Sequence, residues 1–241
     1  MHASKSSPED SAVLRAVFFD MDGTLGYVED PPSPVEIADM LGSMGYEISP
    51  QAWRAAVHFV GIVDFPRLKF PDEKSFLKRV CHRLGVEIDE GALEELVELL
   101  GRRGSYKPYP EAAEALRIAK EELGLRTAVV TTIPRFVFES VVEALSRYLD
   151  FVMTGSEAGC DKSNPRMYSR LLEELDLAPT EVVVIGDDEY VDVILPKKLG
   201  MRAVQLIREG REASCLADAH ASDLVGAVEI VREWARASGA Q

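Results

Sequence analysis

Two aspartates one residue apart, in Asp20-Met21-Asp22-Gly23-Thr24, follow directly on the apolar run Ala16-Val17-Phe18-Phe19. Side chains alternate along a strand, so Asp20 and Asp22 can face one side while Met21 faces the other. Carboxylates held that close either share a cation or divide the work of nucleophile and proton carrier. Further along stand Thr131-Thr132, then Lys162 in Cys160-Asp161-Lys162-Ser163-Asn164-Pro165, then Gly186-Asp187-Asp188 with Asp192 beyond it. Such groups do chemistry together only if the fold gathers them, and the elements between them decide that.

The run before Asp20 is β-branched and aromatic, as in a buried strand, and Gly23 ends it in a tight turn. The aspartates therefore fall at a strand's carboxyl end, where open α/β sheets place their ligands. Downstream the pattern alternates. A helix is expected over 112–123, between Pro110 and Gly124, and a strand over 127–130. A helix over 135–149 and a short strand over 151–153 follow. Next come a helix over 166–175, with Asn164 as N-cap and Pro165 in its first turn, and strands over 181–185 and 202–207. Strands alternating with helices imply a parallel sheet. Thr131-Thr132, Lys162 and Asp187 then come to the same sheet edge as Asp20.

The stretch from Gly26 to about Lys107 breaks this rhythm with helix after helix. Ser33-Pro34-Val35-Glu36 reads as a capping box with proline in the first turn. Ser49-Pro50 opens a second helix carrying Trp53, Val57 and Val60. A third is expected over 73–84 and a fourth over 90–100, ending at Gly101. The expected architecture is an α/β fold: a Rossmann-like parallel-sheet core flanked by helices (12–26 and 108–241), with an inserted all-helical cap domain (27–107). Residues 1–11 are polar and read as a disordered leader.

The 241 residues carry 27 Lys and Arg against 41 Asp and Glu, a formal net charge of −14. That balance argues against nucleic acid and against anionic membrane surfaces, both of which demand clustered positive charge. No apolar stretch approaches the ~20 residues of a membrane span. The three cysteines, Cys81, Cys160 and Cys215, are widely spaced, which indicates neither a disulfide framework nor a zinc site. Cys81 shares a helix face with Phe76, Leu77, Val80 and Leu84, a core position. A reducing cytoplasm fits this usage. No repeat or heptad speaks to the oligomeric state.

The order Asp-x-Asp-Gly-Thr, then Thr, then Lys, then Gly-Asp-x-x-x-x-Asp resembles the haloacid dehalogenase-like hydrolases, most of which are phosphatases. The resemblance runs from Val13 to about Ile207, and the helical insert straight after the first motif matches the family's smaller cap type. It implies Asp20 as a nucleophile that takes up a phosphoryl group. Asp22 would protonate the leaving alcohol and later deprotonate the attacking water. Thr131 or Thr132, with Lys162, would hold phosphoryl oxygens. Mg²⁺ would be bound by the Asp20 carboxylate, the Asp22 carbonyl and the Asp187 carboxylate, with Asp188 and Asp192 behind them, Asp192 orienting Lys162 or a metal water. The implied partner is a small phosphorylated metabolite. The physics agrees: a carboxylate and a phosphomonoester repel, and a divalent cation and a lysine cancel that repulsion.

The chain departs from the family pattern in three places. Ser163 and Asn164 separate Lys162 from Pro165, Thr132 is followed by Ile133-Pro134 where the family often has Asn-Gly, and Pro196 should kink or end the helix after Asp192. Other readings stay open. Thr131 can cap a helix, Asp188 can be a helix N-terminal charge, and Asp192 can face solvent. On the same fold a phosphomutase or a 2-haloacid dehalogenase is the alternative, although the dehalogenase reaction needs neither Asp22 nor Asp187. Outside it stands a receiver-like signalling module, which a helical insert of this size disfavours. Within 66–83, Arg67, Lys69, Lys74, Lys78, Arg79 and Arg83 face only Asp72 and Glu73. This island could hold an anionic substrate tail or be a solvated helix face. Arg67 and Lys69, expected in a loop before the helix, are the candidates for substrate specificity.

Overall fold

The computed structural model describes residues 12–208, 210 and 212–239; the leader expected at 1–11 lies outside the described residues. Its strands, in chain order, are β1 (Ala16–Phe19), β2 (Gly26–Tyr27), β3 (Lys107–Pro108), β4 (Arg126–Thr131), β5 (Phe151–Thr154), β6 (Val182–Gly186), β7 (Arg202–Leu206) and β8 (Ala219–Ala221). Six of them form one parallel sheet in the order β5-β4-β1-β6-β7-β8. Every side chain of β1 is buried, as a central strand covered on both faces requires. Alternation sends Val17 and Phe19 into one cluster with Leu116, Val141 and Val228. Ala16 and Phe18 join the opposite cluster with Met167, Tyr168 and Leu171.

The chain leaves β1 toward β4 and β5 on one side, then returns to β6, β7 and β8 on the other. This is the doubly wound order, and its reversal falls between β1 and β6. The tips of those two neighbouring strands carry Asp20 and Asp187. Two strands reach one residue further than expected, so that Thr131 ends β4 and Gly186 ends β6.

Between β2 and β3 lie α1 (Pro34–Ser43), α2 (Pro50–Phe59), α3 (Phe65–Leu68), α4 (Glu73–Arg83) and α5 (Glu90–Arg103). Ser33 and Glu36 close the capping box on α1, and Ser49, Asp72 and Asp89 cap α2, α4 and α5. The insert buries its own cluster, including Trp53, Val60, Leu77, Cys81 and Leu93. Burial pushes the Cys81 thiol up to about 11. Three local readings are corrected here. The fourth helix of the insert runs through Gly101 to Arg103, a glycine inside a helix costing only about 1 kcal/mol. The stretch is also not wholly helical, because β2 and β3 pair antiparallel where it leaves and rejoins the sheet. Finally, Arg67 sits in α3, a short helix that follows a wide π-type turn at Val60–Asp64, and not in a loop.

The sheet is flanked by α6 (Ala112–Arg117), α7 (Arg135–Leu145), α8 (Gly155–Ala158), α9 (Pro165–Glu174), α10 (Leu195–Lys198) and α11 (Leu224–Gly239). The helix expected to reach 149 stops at Leu145 and tightens into a 3₁₀ turn over Ser146–Tyr148. Pro196 falls in the first turn of α10, directly after a wide turn over Glu189–Ile194. The missing N–H thus stands where one segment hands over to the next. β8 and α11 lie beyond the last element expected. Among the described residues no helix is long and apolar enough to cross a membrane.

Candidate active site

The site is built on the tips of β1, β4 and β6. Asp20 N donates to Ile185 O at 3.0 Å, carrying the β1–β6 ladder into the first acidic residue. The chain then folds back, with Gly23 N on Gly26 O at 3.0 Å and Gly26 N on Met21 O at 2.9 Å. Gly23 takes φ +75°, and a Cβ there would stand 2.5 Å from Oδ2 of Asp187. A Cβ on Gly186 would overlap the carboxylate of Asp192. Both glycines are therefore spaces into which an acid packs.

Asp20, Asp187 and Asp192 are all buried, and one carboxylate oxygen from each lies within 4.8 Å of the others. Lys162 joins them from the loop before α9. Its Nζ lies 2.6 Å from Asp192 Oδ1 and donates to Asp20 Oδ1. Thr132 Oγ1 accepts from Lys162 N at 2.9 Å, while Thr131 Oγ1 accepts from Ile133 N at 3.2 Å. Thr132 thus ties the lysine loop to the β4 tip, and Thr131 caps the turn beside it. Asp192 is fully buried and does not face solvent; its Oδ2 accepts from Asp188 N at 3.1 Å. Asp188 caps the turn that follows, accepting from Tyr190 N at 2.8 Å and Val191 N at 3.0 Å. Asp22, by contrast, is exposed.

Burial dominates the electrostatics. It pushes the Asp20 carboxyl up to about 8, with Lys162 pulling the other way and Asp192 pushing with it. Burial disfavours the Lys162 ammonium, but Asp192 and Asp20 outweigh it and hold its pKa well above the usual range. Asp192 Oδ1 meets Lys162 as a buried ion pair at 2.6 Å. Two buried carboxyl groups, Asp20 and Asp192, thus meet one ammonium, and a third, Asp187, lies beside them, so the cluster offers oxygen donors only. That set fits a hard divalent cation such as Mg²⁺ better than a sulfur- or imidazole-seeking metal. The gathered side chains include Asp192, which the sequence reading placed behind the metal.

Tyr106 carries no motif and was missed. Its phenol is raised far above its ordinary range by burial, then by the charge of Asp22 and a hydrogen bond with it. Gln205 was missed as well. This buried amide donates to Asp187 O at 3.4 Å and Glu212 O at 3.2 Å.

Most of the basic island is neutralised inside the insert. Arg79 and Arg83 converge on buried Asp64 at 2.6–2.8 Å, and Lys74 and Lys78 pair with Glu90. Arg67 and Lys69 are exposed and form no ion pair among the described residues. Arg67 lines a cavity of about 200 Å³ together with Cys160, Asp161 and Asn164, on the loop that carries Lys162. A larger cavity of about 460 Å³ lies where the insert meets α7, walled by Trp53, Val57, Phe76 and Phe136. Phe136 touches Phe65 and Phe76 edge-on, with ring centroids 6.3 Å apart in both pairs.

Comparison with known proteins agrees with this geometry. A phospholysine phosphohistidine inorganic pyrophosphate phosphatase from Danio rerio is 28% identical over 137 residues, 51% of this chain and 49% of that protein. The chain thus matches about half the length of that relative. A phosphoglycolate phosphatase from Cupriavidus necator is 29% identical over 198 residues, 81% of each chain. Among solved structures, a 2-haloacid dehalogenase from Pseudomonas syringae superposes with a TM-score of 0.68 at 21% identity, over 92% of this chain and 99% of that one, which speaks to the fold alone. The haloacid dehalogenase-like hydrolase family model matches residues 14–200, a span that holds the acidic tips, the lysine loop and the helical insert together. This chain belongs to the haloacid dehalogenase-like hydrolases.

Proposed function

We propose that the chain is a Mg²⁺-dependent phosphatase of a small phosphorylated metabolite, working through a phosphorylated Asp20. The observation that carries this reading is the buried group of Asp20, Asp187, Asp192 and Lys162 at neighbouring strand tips. Relatives named as phosphatases support it.

In this reading an Asp20 oxygen attacks phosphorus as the ester P–O bond breaks, and Asp22 gives its proton to the departing oxygen. Water then attacks the aspartyl-phosphate while Asp22 takes its proton, releasing phosphate and restoring Asp20. Lys162 and Thr131 hold the phosphoryl oxygens where charge accumulates. Thr132 positions Lys162 through its backbone, and Asp192 does so through its ammonium. Asp20, Asp187 and the Asp22 carbonyl would hold the cation, with Asp192 and Asp188 supporting them. The cation would supply charge neutralisation between carboxylate and phosphate. The helical insert serves as a cap, with Arg67 and Lys69 toward the substrate's distal end. A cytoplasmic setting is consistent with three unpaired cysteines.

The dehalogenase alternative is disfavoured by Asp187 and Asp22, which that reaction does not use. The test is turnover of p-nitrophenyl phosphate by the purified chain, with and without chelator. Metal-dependent release that vanishes in Asp20→Asn is expected. Metal-independent turnover, or full turnover by Asp20→Asn, would refute the reading.

A further inference from the structure

We propose that Arg208 is a positioning residue for the hydrolysis, fixing the Gly23–Thr24 main chain and thereby the carboxyl of Asp22; this rests on the phosphatase reading above. Arg208 stands two residues past β7, and nothing in its sequence surroundings marks it. Its Nε donates to Gly23 O at 2.9 Å, and its Nη2 donates to Thr24 O at 3.4 Å. The same Nη2 donates to Glu111 Oε1 at 2.8 Å, at the start of α6. The guanidinium also lies over the ring of Tyr109, 3.6 Å from its centroid. Tyr109 packs on Tyr27 of β2, and its N–H donates to Leu25 O at 3.0 Å.

One planar cation therefore joins the turn that carries Asp22, the β2–β3 ribbon leading into the insert, and the first helix after it. A lysine could reach one of these acceptors, but it lacks the rigid fork and the flat face that serve all of them together. The segment that bears Arg208 is itself anchored at the other acidic tip. Gln205 donates to Asp187 O, and its Oε1 accepts from Ser214 N at 2.7 Å. The two acid-bearing turns are thus braced by one stretch of chain.

The consequence is chemical. Asp22 is exposed, so its position depends on its own main chain and on Tyr106 rather than on close packing. In the first step the ester P–O bond breaks as the bond from Asp20 to phosphorus forms, and the Asp22 proton passes to the ester oxygen. A strongly basic leaving oxygen needs that proton; p-nitrophenolate, a weak base, needs it little. A misplaced acid therefore penalises basic leaving groups selectively, whereas a general loss of folded protein penalises all esters alike.

The experiment compares kcat/KM for phenyl phosphate and p-nitrophenyl phosphate, two esters of nearly the same shape, in wild type, Arg208→Ala and Arg208→Lys. Thermal midpoints are measured alongside. Arg208→Ala is expected to lose about 100-fold on phenyl phosphate and less than about 5-fold on p-nitrophenyl phosphate, with Arg208→Lys between it and wild type. Glu111→Gln leaves the arginine in place but removes its charge partner, and should show the same selectivity more weakly even if Arg208→Ala fails to fold. Equal losses on the two esters, or no loss on either, overturn the proposal. Wild-type protein that hydrolyses neither ester overturns the phosphatase reading, and this inference with it.

Discussion

Asp187, at the tip of β6, rests directly on Gly23, in the turn that follows β1. A methyl group on that glycine would stand 2.5 Å from Asp187 Oδ2. The contact joins the first and last motifs, the two acidic ones, across the strand pair at which the sheet order reverses.

Gly23→Ala should therefore cost activity more than stability. The positive φ costs about 1–2 kcal/mol with any Cβ, and the overlap drives Asp187 away from Asp20 and Asp192. Activity on p-nitrophenyl phosphate is expected to fall by about 100-fold or more, while thermal unfolding shifts down by several degrees. Wild-type activity in this variant would contradict the packing described.

Metal affinity should rise with pH. Burial holds the Asp20 carboxyl above the usual carboxylate range, which favours its protonated form when no cation is bound. Cation binding takes the carboxylate form and displaces that proton, so Mg²⁺ affinity increases as pH climbs toward about 8 and levels off above it. The sign for stability is opposite. A folded pKa above the unfolded 3.8 contributes stability that is full below about 4 and is lost as pH rises through about 8. Chelated protein should thus lose thermal stability between pH 6 and 9 relative to Mg²⁺-loaded protein, with about 2.7 kcal/mol between them at a hundredfold excess of Mg²⁺ over Kd. Calorimetric titration in buffers of different ionisation enthalpy reads the released proton.

Asp64 should anchor the insert above acid pH. Hydrogen bonds from Arg83 and Arg79 outweigh burial and hold its carboxyl down to about 2. The stabilisation is present above the ordinary value of 3.8 and is lost as pH falls through about 2. Asp64→Asn leaves two arginines without their partner and is expected to cost about 2 kcal/mol near neutral pH. Denaturant unfolding at pH 7 and at pH 2.5 checks this, since the gap between variant and wild type should shrink at the lower pH.

Much of this molecule was legible along the chain because it depends on local rules. Ala16-Val17-Phe18-Phe19 reads as a buried strand, which the fold covers on both faces, and Ser33-Pro34-Val35-Glu36 starts a helix by its own hydrogen bonds. Asn164 before Pro165 marks the start of α9 just as plainly. Ala219–Ala221 lacked any such signature: three residues without β-branching pair only because β7 lies beside them. The basic island stayed ambiguous for a different reason, since its partners Asp64 and Glu90 come from elsewhere in the insert and cancel most of it in space.

By itself the sequence determined which residue types were available for chemistry, and it set the alternation of strand and helix, because periodicity and capping act over a few residues. Only the tertiary structure decided their roles in space. It brought Lys162 onto Asp20 across 142 residues and buried Asp192 in the room left by Gly186. It divided Thr131 and Thr132 between two different turns and laid Arg208 across the acidic loop. Each of these depends on which strand lies next to which, and contacts between distant segments leave no period or spacing in the chain that makes them.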